Sequence, residues 1–380
     1  MSAPVFEPLR SIDDVDAAQW NALAGTHNPF LRHEFLAALE HSGCVSVATG
    51  WQPAFWVLRD AAGLLAALPA YLKSHSWGEF VFDQSWAQFL QRLGQTYYPK
   101  LLVAVPFSPV SGARLLVRRD QPREQVAPDL ALLLQQLVLN NQLSSAHVLF
   151  ADAVDQQVLR DAGWLLRRDC QFHWHNQGYA DFEAYLATFT AEKRKKTRRE
   201  RRRCDEAGIT FQTLSGRDLT PELLDIIYEL HAGTFRQRGN EPYLNRKFFA
   251  EIAQTLGDSM MVKLALQGGQ PVATAIFFWS GEALYGRYWG ALADFHSLHF
   301  ECCYHQGIEF CIANGISRFE PGTQGEHKVS RGFAPQYTWS AHFLVEPRLR
   351  NAVAEFVQRE SQAVEAYADD VGLHTPFRRE

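Results

Sequence analysis

The stretch Gly315-Ile-Ser-Arg-Phe-Glu-Pro-Gly-Thr-Gln-Gly-Glu-His-Lys-Val-Ser-Arg-Gly-Phe333 carries the strongest signal in this sequence. Its first part, Gly315 to Phe319, has the composition of a short buried strand. From Glu320 to Phe333, three glycines and a proline interrupt regular structure, while two carboxylates, an imidazole, a lysine and an arginine accumulate. Ordering such a loop costs backbone entropy that core packing does not offset, so it usually holds a ligand. We expect it at the carboxyl end of a strand, where open sheets bind ligands.

Length and composition predict a soluble protein of two domains. At 380 residues, 47% of them apolar, the chain can form two domains with separate cores. Its six cysteines form no Cys-x-x-Cys pair and no signal peptide is recognised, which favours reduced thiols and a cytoplasmic location. No apolar run approaches the roughly 20 residues that span a bilayer. We therefore expect no transmembrane segment, whereas peripheral contact with a membrane stays open.

The charge is distributed unevenly. Between Lys193 and Arg203 there are nine basic residues and one acidic residue, a local charge of +8 within a chain of net charge −5. Such a run is often only a solvated helix face. Here the charges surround the whole predicted helix and repel one another, which a polyanionic partner such as tRNA or a phospholipid surface would relieve. The predicted polyanion-binding residues are Lys195, Lys196, Arg198, Arg199 and Arg202.

The order of predicted elements is similar in the two halves of the chain. Each half contains helices, antiparallel strands, a crossover helix and further strands, which suggests a duplication with a ligand cleft between two α+β units. The predicted boundaries are 1–178 for the first domain, 179–347 for the second domain with a basic helix at 183–207, and 348–380 for a C-terminal helix that faces solvent. In the first domain, Leu64 to Leu72 is predicted to form one strand. In the second, the turns Gly268-Gly269 and Ser280-Gly281 predict a three-stranded meander.

Three segments of the second half resemble elements of Fem proteins. They are Lys193 to Ile209, Leu298 to Gly315, and His327-Lys-Val-Ser-Arg-Gly-Phe333. The first resembles the Fem basic helix, the second the helix that precedes a strand and glycine loop, and the third the Phe-Lys-x-Gly-Phe-Gly element. The element order is similar to the GCN5-related acetyltransferase (GNAT) fold used twice in tandem. The resemblance implies an α+β fold of two GNAT-like (acyl-CoA N-acyltransferase) units, each a mixed, mainly antiparallel sheet flanked by helices.

Longer motifs are similar to a proteobacterial FemAB-like family of unassigned substrate, named for peptidoglycan biosynthesis. These motifs are Tyr98 to Gly112, His299-Phe-Glu-Cys-Cys-Tyr304 and Phe319 to Lys328. The similarity spans nearly the whole chain. It implies a bacterial transferase that moves an activated acyl or aminoacyl group to an amine.

One departure from the superfamily bears on the acyl donor. GNAT proteins that bind acetyl-CoA usually carry Gln/Arg-x-x-Gly-x-Gly/Ala between a strand and a helix, where backbone N–H groups hold the pyrophosphate. The nearest string here, Gln91-Arg-Leu-Gly-Gln-Thr96, ends in threonine and precedes its strand. Fem-type enzymes, which use aminoacyl-tRNA, also lack the signature. We expect no tightly bound cofactor. The acyl donor would be a cosubstrate, either aminoacyl-tRNA or acyl-CoA. The absence of the pyrophosphate-binding signature argues against a conventional CoA donor.

Residue types suggest roles within the loop. Acyl transfer to an amine needs a proton acceptor near neutral pH, and Glu320 and His327 are the predicted ones. Lys328 and Arg331 would bind a phosphate or carboxylate. Two glycines, Gly322 and Gly325, would let backbone N–H groups approach the ligand.

Three further sets of residues leave alternatives open. Glu301 is either catalytic or a first-turn carboxylate that favours the helix dipole. Lys100 and Arg114, around the loop Pro106 to Gly112, either bind an anion or belong to a buried packing loop. The group His296, His299, Cys302, Cys303 and His305 matches no standard zinc spacing, so no metal is expected. Cys303 as a nucleophile would lack a base partner.

Two functions follow for testing. The first is acyl or aminoacyl transfer to a small-molecule amine, with tRNA as a potential partner. The alternative is a non-catalytic protein that binds RNA or an anionic surface through residues 193–203. The donor, the acceptor and the oligomeric state are left open by the sequence.

Overall fold

A computed structural model describes residues 5–323 and 325–378 of the chain. The chain divides into two compact units. The first unit comprises Met1–Cys170 and Tyr337–Ala366, and the second comprises Gln171–Gln336 and Tyr367–Glu380. The sequence placed the boundaries at 178 and 347, and treated the last segment as a separate helix. The two compact units divide after Cys170, after Gln336 and after Ala366, which lie inside two strands and a helix.

The first unit contains two groups of hydrogen-bonded strands. Their order is β1-β3-β4-β7 in one sheet and β15-β8-β6-β5-β2 in the other, where β6 and β8 are the parallel pair. The strands of this unit are β1 (Val5–Pro8), β2 (Trp51–Pro53), β3 (Trp56–Asp60), β4 (Gly63–Leu68), β5 (Ala70–Lys73), β6 (Lys100–Val103), β7 (Leu116–Val117), β8 (Ser145–Leu149) and, shared with the second unit, β9 (Leu165–His175) and β15 (Ala334–Leu344). The helices are α1 (Ala17–Ala24), α2 (His33–His41), α3 (Gln84–Arg92), α4 (Arg123–Asn140) and α5 (Ala153–Asp161).

The second unit has one strand order, β10-β11-β12-β13-β14-β9, in which only the pairing of β13 with β14 is parallel. The remaining strands are β10 (Ile209–Ser215), β11 (Met260–Gln267), β12 (Gln270–Trp279), β13 (Ala283–Ala291) and β14 (Arg318–Glu320). The helices are α6 (Phe182–Ala187), α7 (Ala191–Glu206), α8 (Pro221–Arg236), α9 (Arg246–Thr255), α10 (Leu298–Phe300), α11 (Gln306–Ala313) and, with residues in both units, α12 (Pro347–Gly372). A π-helical turn, Glu301–His305, joins α10 to α11.

Each unit buries its own apolar core. In the first unit, the core contains Leu134 of α4 together with strand residues such as Val148 of β8. In the second unit, aromatic residues dominate, among them Trp174, Phe277 and Phe319. Strands such as β6, β8, β11 and β12 are buried almost continuously, as expected where both faces of a sheet are covered. The predicted α+β class is confirmed. No helix in the part of the chain that the structure describes has the length and apolar character of a bilayer span.

Three predicted elements differ from the structure. The basic helix expected at 183–207 is broken between α6 and α7, because Phe189 is buried and pairs with Phe377, and the Thr190 N–H donates to the Pro376 carbonyl. A strand expected from Leu64 to Leu72 is divided at Pro69, which lacks the N–H that a strand ladder needs. The C-terminal helix was expected to face solvent, yet several of its residues, including Leu349 and Val353, are buried.

Candidate functional site in the second unit

The parallel pairing of β13 with β14 ends at Glu320, while β13 continues. Their pairing runs from Ala283 opposite Arg318 to Tyr285 opposite Glu320, and β13 continues beyond it to Ala291. Just beyond the last pair the two chains are still close, since a Cβ on Gly286 would lie 3.2 Å from the Pro321 Cα. The register between β12 and β13 also shifts here, which leaves Arg287 in a β-bulge. Bulges turn backbone groups and side chains out of the ladder and often lie beside active sites.

In the first unit, the parallel pair β6 and β8 is followed by a buried loop. Strands β6 and β8 pair in parallel from Leu101 to Val103, and the chain then folds into a buried loop at 104–110. This loop returns to the end of β8, where Gly112 forms a parallel bridge with Ala151. The loop predicted to bind a ligand in the second unit, Glu320 to Phe333, follows the end of β14. It forms no such bridge to the end of the neighbouring parallel strand among the described residues.

Lys328 is the most unusual side chain of the loop. The segment Glu326–Arg331 forms a 3-10 turn that directs Lys328 inward, where the residue is only 2% exposed. Its Nζ donates to the Gly322 carbonyl oxygen at 2.7 Å. Burial lowers the pKa of Lys328 to about 7, with a small opposing effect from Cys303. At neutral pH this lysine therefore exists partly as ammonium and partly as amine.

The two loop glycines adopt backbone angles that only glycine tolerates well. Gly322 has φ of +98° and Gly325 has φ of +117°. The Gly322 carbonyl accepts the bond from Lys328, and the Gly325 carbonyl accepts the Lys328 backbone N–H at 3.1 Å. Both glycines thus shape the turn around Lys328, and their predicted contact with a ligand stays a prediction.

His327 lies in an aromatic environment beside Lys328. Its Nε2 is 2.9 Å from the Tyr304 hydroxyl, and its ring lies 5.6 Å from that of Phe300. Burial lowers the pKa of His327, and the charges of Lys328 and Arg331 lower it further. The neutral imidazole is therefore favoured at physiological pH, which is the form that can accept a proton.

Arg331 has a protein partner. Its Nη2 donates to both carboxylate oxygens of Glu200 at 2.8 and 2.9 Å, and its Nη1 donates to the His327 carbonyl at 2.8 Å. The guanidinium also lies 3.6 Å from the centre of the Phe300 ring. Because Glu200 already neutralises this charge, the expected contact of Arg331 with an anionic ligand stays a prediction.

Glu320 is buried at the last position of β14. Its Oε1 accepts from Arg318 Nε at 2.8 Å, whereas Oε2 has no hydrogen-bond partner among the described residues and lies 3.9 Å from His173 Nε2. Burial lowers the pKa of His173; the Lys328 charge lowers it further, and Glu320 opposes the shift. Glu320 and Lys328 therefore both act electrostatically on one histidine.

Glu301 belongs to a different group of side chains. It lies in the π-helical turn, a geometry that often marks functional positions. Its Oε1 accepts from Gln306 Nε2 at 2.7 Å and lies 3.2 Å from Arg201 Nη2. Gln306 in turn is 3.3 Å from the ammonium of Lys263 on β11. These contacts connect Glu301 to α7 and β11, and none joins it to Lys328 or His327 among the described residues.

The two cations predicted in the first unit have protein partners. Lys100 is fully buried and donates to Glu79 Oε2 at 2.8 Å, to Ser76 Oγ at 2.9 Å and to Asp83. Arg114 is equally buried and donates to the carbonyls of Ala113, at 3.0 Å, and Val110. These contacts stabilise the loops around the two cations, and anion binding by either stays a prediction.

The outer face of α7 carries the five cations expected to bind a polyanion. All five side chains are exposed: Lys195, Lys196, Arg198, Arg199 and Arg202. Arg198 pairs with Glu183, and Arg202 pairs with Glu206, both at exposed positions. The inner face consists of Thr197, Glu200 and Cys204, which are buried. The helix thus has a cationic outer face and a buried inner face.

Sequence reasoning missed several residues of this region. Glu200 was counted as a charge in the basic run, although an acidic residue at helical spacing from Thr197 and Cys204 was a signal for an inward position. His173 and Tyr304 gave no comparable signal, because only the tertiary structure brings them to Glu320 and His327.

The fold defines the class of protein: an α+β fold of two GNAT-like units, each with one parallel strand pair in a mainly antiparallel sheet. The chain belongs to the FemAB-like family, described as peptidoglycan biosynthesis/recognition, whose model matches residues 11–379. Family membership supports a Fem-like transferase role. No curated protein matches the sequence.

Solved structures of low sequence identity share this fold. FemX aligns with a TM-score of 0.56 at 9% identity, over 92% of this chain and 100% of FemX. The C-terminal domain (DUF2156) of an Agrobacterium fabrum protein named as a candidate lysylphosphatidylglycerol synthetase aligns with a TM-score of 0.55 at 11% identity, over 90% and 96%. A conserved protein of unknown function from Bacteroides thetaiotaomicron aligns with a TM-score of 0.53 at 11% identity, over 88% and 98%. At these identities the similarity shows the fold alone.

Proposed function

We propose that this protein transfers an activated acyl or aminoacyl group to an amine at the end of β14, where its pairing with β13 stops. The observation that carries the proposal is Lys328, a buried lysine at that strand end whose pKa is lowered to about 7. Lysines are rarely buried without a paired acid, and strongly shifted pKa values concentrate at functional sites. FemAB-like membership supports the same class of reaction.

The reaction follows from the groups around the strand end. The amine nitrogen attacks the acyl carbonyl, a C–N bond forms, and the bond from the carbonyl carbon to the donor oxygen or sulfur breaks. The negative charge that develops on the carbonyl oxygen would be stabilised by the Lys328 ammonium. A buried cation is effective here because few waters screen its charge.

The attacking amine must lose a proton, and two groups could receive it. His327 is favoured in the neutral form by its lowered pKa. Glu320 offers a buried carboxylate oxygen, Oε2, without a hydrogen-bond partner among the described residues. The leaving hydroxyl or thiol of the donor takes up a proton as it departs, so the reaction needs no net proton source.

Two donors are compatible with the proposal. Aminoacyl-tRNA agrees with the missing pyrophosphate signature and with the exposed cations on the outer face of α7. Acyl-CoA is the donor of many GNAT-fold enzymes and serves as the comparison. The acceptor is a small molecule with a primary amine.

The direct test is a transfer assay with labelled donors. Purified protein is incubated with a panel of radiolabelled aminoacyl-tRNAs and acyl-CoAs, together with amine acceptors fractionated from bacterial extract. We expect a labelled amide product, and we expect K328M to reduce its rate by at least 100-fold. The matched control is K247M, because Lys247 is an exposed lysine of α9 in the same unit. A K328M rate equal to that of K247M would refute the role of Lys328.

A second candidate function rests on the outer face of α7. Five exposed cations on a single helix favour binding of a polyanion without catalysis. Replacing all five by glutamine should weaken binding to tRNA and to anionic vesicles, and should flatten the dependence of log K on log salt. If no donor supports transfer while this binding is strong, the second candidate replaces the first. Unchanged binding by the five-fold variant excludes it.

A further inference from the structure

A single carboxylate lies on the inner face of the most basic helix of the protein. Glu200 is the one acidic residue between Lys193 and Arg203, and its side chain is 8% exposed. Thr197 and Cys204, at helical spacing on either side, share its buried face. Burying a carboxylate is costly unless it is paired, so its partners indicate its role.

The partners of Glu200 belong to the candidate site. Both carboxylate oxygens accept from Arg331 Nη2 at 2.8 and 2.9 Å, and Oε2 lies 3.4 Å from His305 Nε2 in the π-helical turn. Burial alone would raise the pKa of Glu200, but the His305 hydrogen bond and the Arg331 charge outweigh it and lower the pKa. The ionised carboxylate is therefore the stable form.

Arg331 connects this carboxylate to the turn that holds Lys328. Its Nη1 donates to the His327 carbonyl at 2.8 Å, and its own carbonyl accepts from the Tyr185 hydroxyl at 2.6 Å. The peptide unit that receives this bond precedes Lys328 directly. A continuous chain of contacts thus runs from Glu200 through Arg331 to the backbone of Lys328.

We propose that Glu200 is a positioning residue, which holds Arg331 so that the 3-10 turn directs the Lys328 side chain to the end of β14. The inference rests on the proposed function only in taking Lys328 as the reactive cation. Glu200 itself contacts no reacting atom in this account. Without its charge, the Arg331 guanidinium would be buried and uncompensated, and the turn would move to hydrate it.

The test compares E200Q with E309Q. Glutamine keeps the size of Glu200 and removes its charge. Glu309 pairs with Arg201 of the same helix but makes no described contact with the turn, so E309Q is the matched control. We expect faster amide hydrogen exchange in the peptide covering 326–333 for E200Q, by at least tenfold, and no change there for E309Q. Equal exchange in the two variants would overturn the proposal.

A second readout follows Lys328 itself. Modification of Lys328 by acetic anhydride is measured by mass spectrometry as a function of pH, which gives the pKa of the amine regardless of the absolute rate. The titratable groups described around Lys328 are Cys303, His173, His299 and His327, and none of them is altered in either variant. Loosening the turn hydrates the ammonium, so the midpoint should rise by at least one pH unit in E200Q. A midpoint identical to wild type contradicts the positioning role.

A double-variant cycle shows whether Glu200 acts through Arg331. If it does, E200Q/R331M should show no greater exchange at 326–333 than R331M alone, because the second change removes a contact already lost. Additive effects would exclude this route. E200D keeps the charge and shortens the side chain, so it replaces E200Q should the latter fail to fold.

These measurements need no substrate. If the E200Q effects appear and no donor supports transfer, the proposed function fails and the positioning role stands. If transfer is found and E200Q leaves the turn unchanged, the positioning role fails alone.

Discussion

The ammonium of Lys328 donates a 2.7 Å hydrogen bond to the carbonyl oxygen of Gly322, six residues earlier in the same loop. Gly322 holds a positive φ at the point where the chain leaves β14, so the loop closes on itself around a buried cation. A carbonyl compensates a positive charge only in part, which agrees with the lowered pKa of Lys328.

The shifted lysine should make stability depend on pH. Between about 7, the folded pKa, and 10.5, the ordinary value, the unfolded chain holds a proton that the folded chain lacks. Folding is therefore favoured as pH rises through this range, by up to about 1.4 kcal/mol per pH unit, and the slope vanishes below the folded pKa.

Chemical denaturation of wild type and K328M at pH 7 and pH 9 measures this effect. The difference in unfolding free energy between the two proteins should shift by more than about 1 kcal/mol in favour of wild type at pH 9. Using the difference cancels titration elsewhere in the chain. A difference that is the same at both pH values would mean that Lys328 titrates normally.

The proposed proton acceptor should appear in the pH profile of transfer. Because the pKa of His327 lies below its ordinary value of 6.5, the neutral form dominates above that pH. We expect the transfer rate to rise at acidic pH and to level off by about pH 6.5, and the acidic limb to disappear in H327Q together with most of the rate. If H327Q keeps both the limb and the rate, E320Q becomes the variant to examine for the same role.

Lys100 should prove important for stability. Removing one partner of a buried ion pair typically costs about 3–5 kcal/mol, because the remaining charges are left uncompensated. K100M leaves the buried Glu79 and Asp83 without their cation, and urea denaturation should show a loss of this size. The control is D258N, which breaks an exposed pair with Arg217 and should leave the denaturation midpoint nearly unchanged. A stable K100M that has lost an anion-dependent activity would instead support the predicted anion site.

Gly332 should tolerate no side chain. Its φ is +86°, and a Cβ would lie 2.0 Å from the Tyr185 hydroxyl, which donates to the Arg331 carbonyl. G332A should therefore lower the melting temperature and increase hydrogen exchange at 326–333, with a cost above about 1 kcal/mol. G281A serves as the control, because no described atom lies within 4 Å of its Cβ position and its φ is not positive. Equal melting temperatures for both variants would contradict the strain described here.

Local patterns predicted the antiparallel strands of the second unit closely. The sequence marks hairpin turns at Gly268-Gly269 and Ser280-Gly281. In the structure, β11 and β12 lie on either side of the first turn, and β12 and β13 lie on either side of the second. Such signals work because turn conformation depends on neighbouring residues. The break between α6 and α7 was not predictable in this way, since it depends on Phe189 packing against a segment near the C-terminus.

The candidate site was predicted in part. Residue type and loop composition directed attention to Lys328, His327 and Glu320, and the structure places all three at or after the end of β14. Composition did not reveal that Lys328 is buried, or that Glu301 lies among a different set of partners. Both facts depend on contacts between elements distant in the sequence.

The sequence alone determined the FemAB-like family, the α+β class and the loop that follows β14, because motifs, periodicity and turn residues are local properties. The tertiary structure alone decided which charges meet. Glu200 and Arg331 are separated by 131 residues, yet they pair in the interior, where low polarity makes the choice of partner decisive for each charge.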